Sequence, residues 1–482
     1  MANRQSKNLT SSISVLAITI GLVAGQSATE KSLAQFATSP APSGVTSVNG
    51  AGASTVTTLF VGSGENNPYP FGSKGSWFNA YGVANPTSLN NDVPPAFLNY
   101  PNGSYGPVSA STTFRYAPVG SGAGLTALFT QTPPPVPAGT PALNNLTILP
   151  PVSFAVSDDP LTGTQVEQLV SGTPNSGRVV QVPVIGVGIA LAFNRTGLNI
   201  PAAGLRLSRP TYCAILNGSI TNWNDARIRN DNGGVIIATN RSLTVVRRSD
   251  NSGSTFVLST HLNTACKTAA TPGLPAASVW NRGAGTISVA GTVPPTPPAN
   301  TVVWPSGFLS ASGGSGVAGA IAANPGAIGY VDSATRLARN LPAALLRNRS
   351  GAYVGPTTAG IQSALSGGSI VRYGTAPVNR LIRIDGLADP TVSAAYPIST
   401  ATYMLFYDTY AGSNTSGVAP RLRNFINWAL TAATNGSPAS INADTIAVLR
   451  GYAPLPNTIK AVSRTVVGNC VDTATDTSPC TP

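Results

Sequence analysis

A strand-to-helix junction at residues 245–256, with the sequence VVRRSDNSGSTF, contains the residue types best suited to binding chemistry. Arg247 and Arg248 end an apolar run, and small hydroxyl residues open the following helix. A guanidinium beside free helical N–H groups can hold a tetrahedral oxyanion, because both present directed donors. Ser252 or Asp250 could also simply cap the helix. The segment predicts an anion site, with a capped junction as the alternative.

Three further segments have suitable residues: GAGAST at 50–55, GSGAG at 120–124 and FAVSDDPL at 154–161. Glycines let the backbone approach a ligand closely, although such strings are common in a chain with 50 glycines. The second segment lacks the G-x-G-x-x-G spacing and the Walker lysine, so a nucleotide-binding loop is not predicted. Two acids after a strand are ordinarily turn residues. Asp158 is therefore a candidate binding residue only if it faces the same cleft as the predicted anion site.

Composition limits the possible partners. The 28 lysines and arginines exceed the 16 acids, giving a formal net charge of +12. These cations are scattered rather than gathered into a dense patch with interleaved aromatics, so we expect no nucleic-acid partner. Glycine and proline content excludes a coiled coil, and long Val/Ile/Leu runs argue against disorder. The length predicts two or three lobes.

Residues 1–30 have the pattern of a secretory signal peptide. Arg4 and Lys7 precede an apolar run at 13–25, and small residues follow it. This pattern predicts export to the periplasm or the extracellular space. Beyond this segment no apolar run reaches about 18 residues, so we expect no stable membrane insertion of the mature chain.

The cysteines are consistent with export. Three pairings of the four are possible, and Cys213–Cys266 with Cys470–Cys480 is the economical one, since each pair stays within one region. A metal site is the competing interpretation. No Cys-x-x-Cys motif is present and His261 is the only histidine, so structural disulfides are favoured and neither a metal nor a cofactor is predicted.

The pattern of apolar runs predicts an α/β fold. The run VVQVPVIGVGIALAF at 179–193 is typical of a strand buried on both faces. Other predicted strands alternate with helix-compatible stretches, which indicates parallel sheets built from βαβ units. The further strands are predicted at 243–248, 327–331 and 400–408, and the helices at 210–218, 255–263 and 421–430.

In their order, these segments resemble the phosphate-binding protein of the phosphate ABC transporter, a family of periplasmic substrate-binding proteins. That family has a GAG-(A/S)-(S/T) loop, a GSxGG-like loop, an ASD-x-PL turn and a VVRR-x-D-x-SGT-x-F junction. The matching segments here are 50–55, 120–124, 156–161 and 245–256, with further similarity at 220–225, 325–331 and 396–402. Cys213 and the segments 262–266 and 468–470 resemble the DING branch.

The resemblance covers roughly residues 45–460 and implies a two-lobed, type II-like periplasmic-binding-protein fold with a ligand cleft between the lobes. Lobe I would comprise 45–184 and 395–460, lobe II 185–394, and a C-terminal tail 461–482. An insertion around 60–113 would decorate the rim of the cleft.

The resemblance also implies a set of phosphate ligands. They would be the Ser54 hydroxyl, the Thr55 backbone N–H, Ser121, Asp158, Arg248, Ser252, Gly253 and Ser254, with Asp250 supporting the guanidinium. Thr55 stands where the family has an aromatic residue, and Ser254 replaces a threonine. Asp158 would accept a hydrogen bond from the remaining proton of phosphate, which sulfate lacks.

The function implied is that of an exported, non-catalytic receptor that captures inorganic phosphate for an ABC permease. Two alternatives remain open from the sequence. One is a secreted phosphatase on the same scaffold, and the other is an extracellular surface protein that retains a vestigial phosphate site.

Overall fold

The computed structural model describes residues 46–60, 76–78, 81, 112–130, 152–161, 179–292, 297–373, 380–408, 410, 417–431 and 443–471. The predicted signal peptide, most of the predicted 60–113 insertion and Cys480 lie outside these ranges.

Within the described ranges the chain alternates strands with helices. The strands are β1 (Thr46–Gly52), β2 (Thr112–Ala117), β3 (Phe154–Ser157), β4 (Val179–Phe193), β5 (Arg206–Leu207), β6 (Thr244–Arg248), β7 (Ile287–Ala290), β8 (Thr301–Trp304), β9 (Leu309–Ala311), β10 (Ala327–Asp332), β11 (Leu345–Arg347), β12 (Tyr353–Val354), β13 (Ser369–Tyr373), β14 (Leu381–Asp385) and β15 (Ser399–Tyr407). The helices are α1 (Thr57–Phe60), α2 (Ser121–Thr130), α3 (Arg209–Leu216), α4 (Ala226–Asp231), α5 (Gly253–Ala265), α6 (Gly313–Ala323), α7 (Ser333–Ala338), α8 (Thr358–Ser366), α9 (Val418–Ala429), α10 (Ala443–Leu449) and α11 (Asn457–Cys470). Short 3-10 turns form at Ser54–Val56 and Ala276–Ser278.

Strand β4 is the central element, and it has the bounds that its apolar run predicts. All fifteen of its residues are buried, as expected for a strand rich in β-branched residues and covered on both faces. It pairs with β15 as far as Gly188 and with β10 from Ile189 onward. The predicted division between lobes, after residue 184, therefore falls inside one continuous strand.

The largest sheet has ten strands, of which eight run in the order β2-β1-β3-β15-β4-β10-β6-β9. The prediction of parallel pairing is correct toward both edges of this sheet. At one edge β1 pairs with β2 and β3, and at the other β6 pairs with β10 and β9. The prediction is wrong for the centre, where β4 runs antiparallel to β15 and β10. The chain leaves one half of the sheet along β4 and returns along β15, so these two strands must run in opposite directions.

A disulfide joins α3 to the segment that follows α5. Its residues are Cys213 and Cys266, whose Cα atoms are 5.8 Å apart, and this confirms the first predicted pairing. Cys470 is also disulfide-bonded. The second predicted pairing stays a prediction, because Cys480 lies outside the described residues.

Helix α11 packs against the central strand near the end of the described chain. Ile459, Val466 and Val467 are buried, and the Ser463 hydroxyl donates to the Pro183 carbonyl at 2.9 Å. The C-terminal tail predicted from residue 461 thus begins inside a packed helix. Among the helices described, none has the length and apolar character that crossing a membrane requires.

Candidate functional site

The first site segment follows β1. Gly52 has a φ of +145°, and a Cβ there would lie 2.0 Å from the Val156 carbonyl oxygen, so glycine is required for this close approach. The Ala53 N–H donates to the same carbonyl at 2.8 Å. In the 3-10 turn that follows, the Ser54 hydroxyl oxygen is buried and has no hydrogen-bond partner among the described residues. This hydroxyl is therefore available to a ligand.

Asp158 follows β3 and is only 1% exposed. The Thr55 hydroxyl lies 2.9 and 3.0 Å from its two carboxyl oxygens, and the Thr402 hydroxyl donates to Oδ1 at 2.6 Å. Burial raises the pKa of Asp158 to about 6, while the two hydroxyls and the charge of Arg248 act in the opposite direction. The group is an ionised acceptor above that pH. The sequence predicted only a backbone contact for Thr55, so its hydroxyl contact is a new feature.

Ser121 begins α2 and is buried beside Asp158. Its hydroxyl oxygen accepts from the Asp158 N–H at 3.2 Å, which leaves the hydroxyl proton for another acceptor. The preceding Gly120 has a φ of +95°, and a Cβ there would lie 2.5 Å from the Asn251 carbonyl oxygen. The loop before α2 therefore lies directly against the β6–α5 junction.

Arg248 ends β6, and Asp250 holds its guanidinium. Nε donates to Asp250 Oδ1 at 2.6 Å, and Nη2 pairs with Oδ2. The Gly313 N–H also donates to Oδ1, at 3.0 Å. Burial acts to raise the pKa of Asp250, but the Arg248 charge holds it below its ordinary value. Asp250 forms no bond to Nη1. The guanidinium is therefore fixed in orientation, while Nη1 stays available to a ligand.

Helix α5 begins at this junction with three small residues. Ser252 is its N-cap, and the Ser252 hydroxyl accepts from the Thr255 N–H at 3.3 Å. Gly253 and Ser254 occupy the first turn, and both are buried. First-turn N–H groups have no intrahelical partner and can bind an anion. The alternative interpretation, a capped strand-to-helix junction, is therefore correct. The same junction still presents backbone N–H donors.

Gly253 brings the separate segments together. A Cβ at this position would lie 2.2 Å from Ser121 Oγ and 2.8 Å from Asp158 Cβ. The start of α5 therefore packs against the start of α2 and the end of β3. A Cβ on Gly120, beside Ser121, would in turn lie 3.3 Å from Asp250 Oδ2, which pairs with Arg248. The predicted acceptor and the predicted cation therefore lie in one site rather than on different surfaces.

Some residues of the site were missed by sequence reasoning. Tyr330 accepts at its hydroxyl from the Arg248 N–H at 3.0 Å, and Thr402 contacts Asp158. Both lie in strands, in the segments 325–331 and 396–402 that resemble the family, but their apolar neighbours give no sign of a polar role for these two residues. Asp332 is different, because it stands at the end of a buried strand, much as Asp158 directly follows one. That shared pattern could have revealed it.

Asp332 ends β10 and caps α7. Its Oδ1 accepts from the Thr335 N–H at 2.8 Å, while Oδ2 is buried without a partner among the described residues. Burial raises the pKa of Asp332 to about 6, the Thr335 side chain and backbone N–H act to lower it, and the charge of Asp158 adds to the effect of burial. The site therefore contains a second buried carboxyl group, whose pKa responds to the charge of Asp158.

Known proteins resemble this chain in sequence. It is 28% identical over 254 residues to the phosphate-binding protein PstS of Xylella fastidiosa (strain 9a5c). The matched region covers 53% of this chain and 58% of that protein. This chain is 28% identical over 263 residues to the PstS of Methanocaldococcus jannaschii, covering 52% and 60%. The chain thus spans about three-fifths of the length of these relatives.

Solved structures resemble the fold. One is a high affinity periplasmic phosphate-binding protein (PfluDING) bound with phosphate, with a TM-score of 0.54 and 21% identity, covering 87% of this chain and 93% of that one. A phosphate binding protein from Stenotrophomonas maltophilia gives the same values. This similarity confirms the predicted two-lobed α/β fold.

A family model described as a PBP superfamily domain matches residues 95–433, more than half of the chain. The chain therefore belongs to the PBP superfamily.

Proposed function

We propose that this chain is an exported receptor that binds inorganic phosphate and delivers it to an ABC permease. The observation that carries the proposal is the convergence of a buried carboxylate, Asp158, with the buried, oriented guanidinium of Arg248 at the start of α5. Relatives named phosphate-binding protein PstS support this assignment, as does the phosphate-bound structure of similar fold.

The proposed ligands divide into donors and one acceptor. The donors are the Ser54, Ser121, Ser252 and Ser254 hydroxyls, the Thr55 and Gly253 backbone N–H groups, and the Arg248 guanidinium. Asp158 is the acceptor. The buried Ser54 oxygen without a partner and the hydroxyl proton of Ser121 are the features that most directly require an acceptor from outside the chain.

Asp158 would select phosphate over sulfate. Phosphate near neutral pH retains at least one proton, which can be donated to the carboxylate. Sulfate has none, so its oxygen and the carboxylate would face each other as two unmatched acceptors. A buried mismatch of this kind costs several kcal/mol, enough for discrimination of about 10⁴-fold.

Phosphate would also hold the two predicted lobes together. Under the predicted division, Ser54, Ser121 and Asp158 belong to lobe I, whereas Arg248 and the start of α5 belong to lobe II. A ligand that contacts both favours the closed arrangement by its extra contacts there. We place the receptor in the periplasm or outside the cell, because residues 1–30 predict export.

Binding and release of phosphate require no covalent step, and we propose no catalytic residue. The named relatives are binding proteins, and they lend no support to the phosphatase alternative. The surface-protein alternative assumes a vestigial site and is therefore tested by phosphate affinity itself.

The test is a calorimetric phosphate titration of the purified chain and two matched variants, Arg248→Gln and Arg209→Gln. Each variant breaks a buried arginine–aspartate pair, because Arg209 is held by Asp389 as Arg248 is held by Asp250. We expect one phosphate per chain in the wild type and in Arg209→Gln, and a loss of at least about 100-fold in Arg248→Gln. No phosphate binding by the wild type would defeat the proposal.

A further inference from the structure

A carboxyl oxygen that the proposed ligand set does not use is buried beside the site. Asp332 is 1% exposed, its Oδ1 accepts from the Thr335 N–H at the start of α7, and the Thr335 side chain also acts to lower its pKa. Its Oδ2 has no hydrogen-bond partner among the described residues. A buried carboxylate oxygen without a donor is unfavourable. Oδ2 therefore requires either a proton of its own or a donor from a ligand.

Asp332 Oδ2 shares a small space with the unpartnered Ser54 hydroxyl. A Cβ built on Gly314 would lie 3.2 Å from Asp332 Oδ2 and 3.8 Å from Ser54 Oγ. Glycine at this first turn of α6 keeps that space free of a side chain. Two buried polar atoms without partners, one able to donate and one able to accept, thus face the same point.

Charged and titratable groups from several elements act on Asp332. They are Asp158 after β3, Arg248 at the end of β6 and Tyr452 after α10. Arg336 is the basic residue of α7, the helix that Asp332 caps, and its guanidinium donates to the Leu341 carbonyl. Two of the acting groups are thus the proposed acceptor and cation of the phosphate cage, which places Asp332 within their electrostatic reach.

We propose that Asp332 Oδ2 faces the bound phosphate, and that the complex holds one proton more than Asp158 alone would need. The inference rests on the proposed function. The extra proton lies between Asp332 and phosphate: either dihydrogen phosphate donates to both carboxylates, or protonated Asp332 donates to monohydrogen phosphate. The two descriptions contain the same atoms and the same total charge.

This arrangement makes phosphate affinity depend on pH in a defined way. Above the second pKa of phosphate, the free ligand is the dianion and free Asp332 is ionised, so binding must take one proton from water. Affinity then falls about tenfold for each pH unit. With only Asp158 as acceptor, the dianion already has the proton it needs, and affinity would be flat in the same range.

The test is calorimetric titration with inorganic phosphate at pH values from about 6.5 to 8.5, in two buffers of different ionisation enthalpy. The variants are Asp332→Asn and Asp332→Ser, both of which retain an N-cap side chain. The matched control is Asp225→Asn, because Asp225 is likewise the N-cap of a short helix, α4, and is not a proposed ligand.

We expect the wild type and Asp225→Asn to lose about tenfold in affinity per pH unit at the basic end and to take up about one proton per phosphate. Both Asp332 variants should bind with a slope flatter by about one decade per unit. Equal slopes in wild type and Asp332 variants would overturn the inference alone. Failure of the wild type to bind phosphate at any pH would instead overturn the proposed function, and this inference with it.

Discussion

At the scale of single residues, the site depends on keeping a buried carboxyl group ionised. Asp158 is surrounded by protein, yet two hydroxyl donors and a nearby guanidinium partly offset the effect of burial on its pKa, which remains about 6. Thr55 and Thr402 together supply two protons to a group with about four lone-pair positions. Capacity therefore remains to accept a hydrogen bond from a ligand.

The variant Asp158→Asn should lose discrimination between phosphate and sulfate, because its amide can donate to a sulfate oxygen. We expect the preference to fall from about 10⁴-fold to within about 10²-fold. Competition titrations with both anions provide the measurement. Asp159→Asn is the matched control, since its carboxyl is adjacent and also buried but is not a proposed ligand. Equal discrimination by wild type and Asp158→Asn would remove the role assigned to Asp158.

At the scale of elements, the site forms where the starts of α2 and α5 meet the end of β3, and at this contact α5 has a glycine. Gly253 is the contact point, because any Cβ there would overlap Ser121 Oγ and approach Asp158. A helix start that presents N–H groups to a ligand needs this close approach.

Gly253→Ala should therefore weaken phosphate binding by at least about tenfold, because the start of α5 must move away from α2. Gly319→Ala is the control, since it also adds a methyl group in a helix, and a Cβ there meets nothing within 4 Å. That control should keep its affinity and gain up to about 1 kcal/mol in the free energy of unfolding. Titration and chemical denaturation measure the two effects, and unchanged affinity in Gly253→Ala would contradict the packing described.

How far the sequence predicts these elements depends on what each residue pattern contains. The β-branched run of β4 predicts its own bounds, because burial on both faces leaves no room for polar residues. Its antiparallel neighbours were not predicted, since strand direction depends on where the chain returns. Asp158 and Arg248 were found through motifs. Thr402 lies in a segment that resembles the family, but it was given no role, because one hydroxyl in an apolar strand carries no periodic signal.

At the scale of the whole molecule, the protein contains several buried carboxyl groups whose pKa is raised above its ordinary value. Burial raises the pKa of Asp158 and of Asp332 to about 6, and that of Asp159 to about 7. The folded state therefore holds more protons than the unfolded chain between about pH 4 and 7. His261 acts in the opposite direction, because burial lowers its pKa to about 4.

Since three groups outweigh one, the free energy of unfolding without phosphate should fall as the pH rises from about 5 to 7.5, by a few kcal/mol at most. Urea denaturation across this range measures it. Asp159→Asn should flatten the decline, because it removes one of the three contributing carboxyls. A stability that rises steadily with pH would show that these carboxyls are not buried in the unliganded protein.

The most direct test of the central claim is a phosphate titration of the purified chain at about pH 8 in the presence of a large excess of sulfate. A buried acceptor that requires a ligand proton predicts one tightly bound phosphate per chain, with an affinity that sulfate in about 10³-fold excess barely alters. Displacement of phosphate by sulfate at comparable concentration would contradict the account.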